Sequence, residues 1–495
     1  MTNTKYFNTY FMYLLSALVA VITRLLFILY FPTEGGDWSI YSTVAENILS
    51  GCGVSLSAIG SGQCDPHFGG NQGPGYPIFV SLSWFIGGHQ DVYIRLLQLF
   101  FYVVALLYLV RAVNIYTLRP KTALLVGLVL ALSPLEVAWP RYLQTETLAL
   151  SGTLWIFAEL LLSFSQSRVR VIPVAIALIF TTFIRLDAVL LMVPVIIALF
   201  VIYSPVNALK KGFLIAIMFS LPWSMWLVRN YTVGMDNILP SQMALPENAK
   251  APNGYLKWCK TWTTLEYQRP GSQWPITRFV YDNISIYSDI YSTNKEKLKV
   301  ESLLSDLKKF TGKPFPKHID DEFLVIADER INNNPTDYYL IKPLHRIWSL
   351  WTNIYGSYGW PTELPSSVSH QERLDISRGG VLQKVAFAME YPIIASGKII
   401  VNLWKVILYL LFIIALLKVI RMRDSSKLYP FVLLIIGLIV ARSLFSGYAN
   451  FVETRYTMAA IPIMEILVVM FYFGSECSNP IQNILIGKKS INNKI

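Results

Sequence analysis

The chain has 495 residues, of which 54% are hydrophobic and only 15% are charged. A water-soluble globular protein carries roughly 25% charged residues, so this chain has too few to cover a water-facing surface. Its net charge of +11 does not indicate a nucleic-acid partner, because the basic residues cluster in short loops between apolar runs, as they do in membrane proteins.

Apolar segments recur along the whole chain. A helix that crosses a bilayer needs about 20 mostly apolar residues. We therefore predict an all-α polytopic membrane protein with about ten transmembrane helices. The predicted spans are 9–31, 91–113, 121–139, 143–164, 170–184, 187–203, 211–228, 398–419, 428–445 and 457–474.

Lysine and arginine occur in alternate loops, which predicts that these loops and both chain termini are cytoplasmic. The residues concerned are Arg111, Arg119, Lys121, Arg168, Arg170, Lys210, Lys211, Lys418, Arg421, Arg423, Lys427, Lys488 and Lys489. Two long segments then lie on the outer side. Since the cytoplasmic side has no segment of comparable length, any chemistry is expected at the outer face or within the membrane.

We divide the chain into a core of residues 1–230, an outer segment of residues 231–397, and C-terminal helices with a tail in residues 398–495. The core contains the first outer segment, 32–90. This segment is predicted to contain an amphipathic helix near 38–50, a Gly-rich loop, and an apolar stretch at 76–86 that enters the membrane interface. In the second outer segment, which we expect to be mostly helical, the clearest helices are 297–311 and 337–353.

Cys52 and Cys64 lie in the Gly-rich loop. On an outer, oxidising side they could form a disulfide, and the alternative is a pair of free thiols. The chain has no CxxC pair or His/Cys ligand cluster, which argues against a structural zinc site. It also lacks the Walker, GxGxxG, GxSxG and HExxH motifs, so nothing supports nucleotide-driven chemistry.

Asp37 follows a Gly-Gly turn just beyond the outer end of the first span. A carboxylate at this place could act as a general base. The alternative is a helix cap, because aspartate before an amphipathic helix caps well. Glu146 begins the fourth span at the outer face, where it could help to orient a substrate or could simply favour the start of the helix.

Several arginines lie at or near the outer face, and arginine binds phosphate with two hydrogen bonds. As candidates for a lipid phosphate we take these arginines and a neighbouring tyrosine: Arg24, Arg141, Arg185, Arg229, Arg442, Arg455 and Tyr456. Two alternatives remain open. Arg24 could extend to the membrane interface, and internal pairing with Asp187 and Glu453 could account for some of the others.

Six tryptophans lie in the second outer segment: Trp258, Trp262, Trp274, Trp348, Trp351 and Trp360. Aromatic faces can stack on sugars, but the same residues also form domain cores or anchor proteins at the membrane interface.

The order of motifs in the first outer segment resembles that of the GT-C glycosyltransferases, the group that contains protein O-mannosyltransferases and lipid A aminoarabinose transferases. The resemblance rests on an arginine in the first span, then Pro32, Asp37 before a helix with Tyr41, Ala45 and Asn47, then Gly51-Cys52-Gly53, and Gly73-Pro74-Gly75-Tyr76-Pro77. Later landmarks are Thr145-Glu146, Pro222-Trp223 with Arg229-Asn230, and Glu453-Thr454-Arg455-Tyr456. Residues 240–395 match no pattern of the group.

The resemblance implies a GT-C helical core with juxtamembrane helices in the first outer loop, in a bacterial inner membrane with a periplasmic catalytic face. It implies transfer of a single sugar, with inversion, from a polyprenyl-phosphate donor to a hydroxyl of a glycan, lipid A or protein. Asp37 would be the base, Glu146 a second acidic position, and Tyr41 and Tyr76 part of the acceptor loop. Arg141, Arg229 and Arg455 would neutralise the leaving phosphate.

Gly36 and Trp38 flank Asp37, so the chain lacks the Asp-x-Asp pair of the metal-dependent oligosaccharyltransferase branch. We therefore expect transfer without a divalent metal or other cofactor. The competing interpretations are a flippase, which should show internal repeats and midplane polar residues, and a polymerase or ligase of lipid-linked glycans, which would not need Asp37.

Overall fold

The computed structural model describes residues 2–56, 64, 73–234, 250–287, 289–354, 356, 358–362, 380–450 and 452–474. Lys488 and Lys489, which we assigned to a cytoplasmic tail, lie outside the described residues, and so does most of the Gly-rich loop. Within the described part of the chain every named element is a helix, and the one β-bridge joins Thr33 to Tyr142. The all-α prediction is therefore confirmed for the described residues.

The described part of the chain contains eighteen α-helices. In chain order they are α1 (Thr2–Tyr30), α2 (Trp38–Leu49), α3 (Gly75–Gly87), α4 (Asp91–Thr117), α5 (Pro120–Leu132), α6 (Glu146–Gln166), α7 (Val171–Ile184), α8 (Met192–Ile202), α9 (Pro205–Thr232), α10 (Asn253–Lys260), α11 (Arg269–Ser272), α12 (Asn294–Lys308), α13 (Lys317–Asn333), α14 (Lys342–Thr352), α15 (Val381–Glu390), α16 (Pro392–Arg421), α17 (Tyr429–Ala449) and α18 (Ile461–Phe473). The amphipathic helix predicted near 38–50 is α2, and the apolar stretch at 76–86 is α3.

Six described helices are long and apolar enough to cross a membrane, and they are α1, α4, α6, α9, α16 and α17. The other four predicted spans coincide with shorter apolar helices, α5, α7, α8 and α18. Their shortness has local causes. Helix α5 ends just before Pro134, a 3₁₀ turn at Leu186–Leu191 separates α7 from α8, and a 3₁₀ turn at Thr454–Thr457 precedes α18.

The helical core has two distinct ends. At one end the predicted cytoplasmic loops meet, since the Tyr116 hydroxyl donates to the Lys427 carbonyl and the Val169 amide donates to the Tyr203 hydroxyl. At the other end Arg95, in the first turns of α4, donates to the carbonyl of Thr33 at 3.1 Å. The polar residues of the candidate site gather at this second end.

The second outer segment has its own apolar core, in which Tyr255 and Trp258 pack against Phe323. The Thr293 hydroxyl accepts a hydrogen bond from the Glu296 amide and so caps α12. Both helices predicted here are present, as α12 and as a segment that runs through a π-turn into α14.

Helix α14 joins this segment to the core. Arg346 is fully buried, and its guanidinium donates to the carbonyls of Lys260, Thr263 and Gly447, the last in α17. The Trp351 indole donates to the Ser443 hydroxyl at 2.9 Å. These contacts place the outer segment directly over the polar end of the core.

Candidate active site

The turn that carries Asp37 is attached to the connection between α5 and α6. The Thr33 amide donates to the Arg141 carbonyl and the Leu143 amide donates to the Glu34 carbonyl, each at 3.2 Å. Gly35 follows with φ +89°, a conformation that L side chains rarely adopt, and its α-carbon faces the side chain of Gln144. This pairing fixes the position of Asp37 two residues later.

Asp37 precedes the first residue of α2, but its side chain makes no capping hydrogen bond to that helix. Its carboxylate is 44% exposed and lies 3.5 Å from the Arg455 guanidinium. Of the two interpretations of Asp37, a general base and a helix cap, this geometry favours an accessible carboxylate paired with an arginine.

Glu146 begins α6 and is almost fully buried. One carboxylate oxygen lies 2.6 Å from the Arg185 guanidinium and 3.6 Å from that of Arg455. The Thr145 hydroxyl also donates to its other oxygen at 3.4 Å. Glu146 therefore contacts Arg185 and Arg455 on their buried side, while the Asp37 carboxylate is accessible to solvent.

Arg455 is the centre of the group. Its Nε lies 2.6 Å from the Glu453 carboxylate, so the same guanidinium contacts three acidic residues. Arg269, from the outer segment, is paired with the other Glu453 oxygen. Burial alone would raise the pKa of Glu453, but the charges of Arg455 and Arg269 outweigh it and hold that pKa below its usual value.

Asp187 connects the group to two further arginines. Its carboxylate pairs with Arg185 at 3.0 Å through one oxygen and with Arg442 through the other. Internal pairing, which the sequence left open, thus accounts for Arg442 and in part for Arg185.

These ion pairs form one connected cluster, the outer charge cluster. It consists of Asp37, Glu146, Asp187, Glu453, Arg185, Arg269, Arg442 and Arg455. The four carboxylates balance the four guanidiniums. A cavity of about 20 Å³ lies beside Arg185, Arg442 and Arg455, which is room for about one water molecule. This cavity is too small for a phosphate group, and the partly exposed part of the Arg455 guanidinium lies outside it, beside Asp37.

Three tyrosines surround the cluster. The Tyr456 ring lies 5.5 Å from the Arg185 guanidinium carbon and 5.8 Å from that of Arg455. Burial and the charge of Glu453 raise the pKa of Tyr456 to about 12.

Tyr41 packs edge-on against Tyr76 with ring centroids 4.8 Å apart. Burial and the charges of Asp37 and Glu146 raise the pKa of Tyr41 well above its usual value, so its phenol keeps its proton.

The structure places the other three candidate arginines away from the cluster. Arg24 is buried over the Tyr102 ring and donates to the carbonyls of Leu130 and Ala131. Arg141 donates to backbone carbonyls that include those of Phe31 and Gly359.

Arg229 donates to the Val54 carbonyl at 2.6 Å. Among the described residues Arg24 joins α1 to α5, while Arg141 and Arg229 tie loops to helices, so we do not carry the three forward as phosphate ligands.

Three residues of the outer segment reach the site without having been predicted. Arg269 pairs with Glu453, Arg278 donates to the Gly36 carbonyl at 2.9 Å, and the Glu266 carboxylate accepts from the Thr454 amide at 3.1 Å. No motif marks them in the sequence, because the segment that carries them matches no pattern of the resembled group.

Cys52 and Cys64 are joined by a disulfide in the structure. The bond closes the start of the Gly-rich loop just beyond α2.

Comparison with known proteins adds one likeness. No protein-family model and no curated protein matches the chain. Among solved structures, the chain is similar to the crystal structure of ArnT from Cupriavidus metallidurans bound to undecaprenyl phosphate, with 12% identity and a TM-score of 0.40. The match covers 92% of this chain and 77% of that chain.

We draw nothing further from a likeness at this TM-score. The proposals below rest on the residues of the outer charge cluster and its surroundings.

Proposed function

We propose that this protein is a membrane glycosyltransferase that moves a single sugar from a polyprenyl-phosphate donor to a hydroxyl group of a glycan, lipid A or protein acceptor. One observation carries the proposal. The exposed Asp37 carboxylate and the partly exposed Arg455 guanidinium lie side by side, 3.5 Å apart, over an otherwise buried set of ion pairs. This pair offers a base and a phosphate ligand to the same substrate.

Asp37 acts as the general base. The acceptor hydroxyl donates its proton to the Asp37 carboxylate while its oxygen attacks the anomeric carbon of the sugar. The bond between that carbon and the phosphate oxygen breaks, and both of its electrons leave with the polyprenyl phosphate. Because attack and departure occur on opposite faces, the anomeric configuration is inverted.

The charge balance of the cluster favours this step. Before the reaction the carboxylates and guanidiniums cancel, and Arg455 is shared among Asp37, Glu146 and Glu453. When Asp37 takes up the proton, one negative charge beside Arg455 disappears. The guanidinium is then free to stabilise the negative charge that develops on the leaving phosphate.

The buried residues keep this pair in place. Glu146 and Asp187 fix Arg185, and Glu453 fixes Arg455 from the side opposite Asp37. Preorganised charges need no rearrangement when the transition state forms, which is the main advantage of such a cluster. In this account Glu146 is a positioning residue, and a divalent metal is not required.

The membrane side on which the outer charge cluster lies indicates the donor that it could bind. The cluster lies at the end of the helical core opposite the basic loops, which the positive-inside rule assigns to the cytoplasm. We therefore propose a multi-pass protein of a bacterial inner membrane, with a periplasmic catalytic face. A polyprenyl phosphate would keep its chain in the bilayer and present its sugar to Asp37.

Mass spectrometry of the host's surface glycans, lipid A and surface glycoproteins tests the proposal in a deletion strain and in the strain complemented with wild type. We expect one glycan to lose the mass of one monosaccharide in the deletion strain and to regain it on complementation. Loss of whole glycans instead of one sugar would contradict the proposal and favour a flippase or a polymerase.

A further inference from the structure

A second cavity lies in the outer segment, and its residue Glu266 contacts Thr454 in the turn that carries Arg455. Its volume is about 440 Å³, within the range of about 300–1,000 Å³ that is typical of ligand pockets. Its described lining is Thr264, Leu265, Glu266, His345, Trp348, Ser349, Thr352, Asn353 and Ile354. The reaction proposed above uses none of these residues.

Two polar groups in the lining have unused hydrogen-bonding capacity. The Ser349 side chain is 4% exposed, and its hydroxyl has no hydrogen-bond partner among the described residues. Glu266 accepts hydrogen bonds through Oε2, whereas its Oε1 accepts none from the part of the chain that the structure describes. The Ser349 hydroxyl is buried, so a ligand in the cavity reaches it only when the side chain rotates toward the cavity, and the hydrogen bond then removes the cost of an unpaired buried hydroxyl.

Trp348 forms the apolar part of the cavity. Its side chain is 71% exposed although it lies on the same helix, α14, as the buried Arg346 and Ser349. An exposed indole face next to buried hydroxyl and carboxylate groups suits a ligand with an apolar face and a rim of hydroxyls. A sugar ring has this chemistry.

The lining also disfavours an anionic ligand, since His345 is its only described side chain that can carry a positive charge. None of the described lining residues is a lysine or an arginine, whereas Glu266 contributes a carboxylate. A lipid phosphate would be repelled here, while neutral hydroxyl groups can donate to Glu266 and bond to Ser349.

The cavity is connected to the reacting groups through one short hydrogen-bonded path. The Glu266 carboxylate accepts from both the amide and the hydroxyl of Thr454, and Thr454 precedes Arg455 in the chain. Asn353, from the end of α14, donates to the same carboxylate. A ligand in the cavity therefore lies next to the turn that carries the proposed phosphate ligand.

We infer that this cavity is a carbohydrate-binding site that holds a neutral sugar unit of the acceptor, away from the hydroxyl that reacts at Asp37. The assignment of the bound sugar to the acceptor rests on the proposed function, but the binding of a carbohydrate does not. Trp348 stacks on the sugar ring, and Ser349 and Glu266 bond to its hydroxyls.

Calorimetric titration of the purified full-length protein in detergent tests the inference. The probe is the oligosaccharide released by mild acid from the surface glycan of the deletion strain. We expect Trp348→Ala and Ser349→Phe each to raise the Kd by at least about tenfold, as expected when a central contact is lost. Trp348 is mostly exposed, so its replacement tests binding even if Ser349→Phe fails to fold.

Trp274→Ala is the matched control, because this tryptophan is also exposed (51%) and lies outside the cavity. It should bind the probe as wild type does. The inference is overturned if wild type does not bind the probe, or if Trp348→Ala binds it with the wild-type Kd. If Asp37→Asn transfers sugar normally while Trp348→Ala loses binding, the proposed reaction fails and the carbohydrate site stands.

Discussion

Arg455 and Glu453 show how single residues set the properties of the site. Glu453 separates two guanidiniums, Arg269 from the outer segment and Arg455 from the turn before α18. Without this carboxylate the two guanidiniums would lose the acidic partner that they share, and Arg455 would keep only Asp37 and Glu146. Glu453 therefore links the stability of the fold to the geometry of the site.

This arrangement predicts a pH-dependent loss of stability. The pKa of Glu453 is lower in the folded protein than the value of about 4.3 expected in the unfolded chain. Its ion pairs thus stabilise the fold above about pH 4.3, and this contribution is lost as the pH falls through the folded pKa. We expect the difference in melting temperature between wild type and Glu453→Gln to be large at pH 7 and to shrink below about pH 4.

Glu301→Gln is the control for that measurement. Glu301 is half exposed and pairs with Lys297 on the surface of α12, where an ion pair contributes little. Its melting curve in detergent should follow that of wild type at every pH. A Glu453→Gln difference that stays constant between pH 7 and pH 3.5 would contradict the role given to Glu453.

For single residues, the sequence predicted which charged side chains lie near the outer face but not which of them pair. It singled out Asp37, Glu146, Arg185, Arg442 and Arg455, and these meet in the structure. It could not separate Arg442 from Arg24 or Arg141. The reason is physical, since the partners of Arg24 and Arg141 are backbone carbonyls, which every residue carries and no sequence pattern marks.

Among the structural elements, the turn before α2 requires glycine at one of its positions, Gly35. Gly35 has φ +89°, and a β-carbon there would collide with the Gln144 side chain. Gly36, its neighbour, has open space around the position of a β-carbon. Of two adjacent glycines, therefore, only Gly36 has room for a side chain, although the sequence alone does not distinguish them.

We expect Gly35→Ala to lower the rate of sugar transfer by up to about a hundredfold, because a shift of about 1 Å in a reacting group can cost that much. Gly36→Ala should stay close to wild type. Transfer rates in membranes with matched protein levels give the comparison. Equal rates for the two variants would show that this turn does not position Asp37.

The helices themselves were largely predictable, since long apolar runs determine their positions. The ends of the helices were less predictable. The predicted spans 121–139 and 457–474 correspond to α5 and α18, which are shorter because α5 ends before Pro134 and a 3₁₀ turn at Thr454–Thr457 precedes α18. Hydropathy does not register these helix ends, because Trp139 and Met458, which lie outside α5 and α18, are as apolar as the helices.

The whole molecule separates its charges between two ends. The basic loops meet at one end, and the outer charge cluster with the outer segment lies at the other. The positive-inside rule assigns the first end to the cytoplasm. What the sequence could not show is how the outer segment docks, because its contacts at Arg346 and Glu266 go to backbone groups far away in the chain.

Sidedness can be tested by cysteine labelling. In a chain with Cys259→Ser and Cys477→Ser, we expect Lys297→Cys in α12 to react with a membrane-impermeant maleimide in cells with a permeable outer membrane. Lys210→Cys, in a predicted cytoplasmic loop, should react only after the inner membrane is opened. Lys210 is exposed, and the Lys297 side chain is 45% exposed. The reverse labelling pattern would place the outer charge cluster in the cytoplasm and would contradict the proposed donor.

The central claim is that Asp37 removes the proton of the acceptor. Its most direct test is the rate of sugar transfer in membranes of the deletion strain that carry wild type, Asp37→Asn or Asp328→Asn at equal levels. Asp328 is a half-exposed carboxylate paired with Lys257 in the outer segment and serves as the control. We predict that Asp37→Asn lowers the rate by at least about 10²-fold, as expected for loss of a general base, while Asp328→Asn keeps it. A wild-type rate for Asp37→Asn would contradict the account.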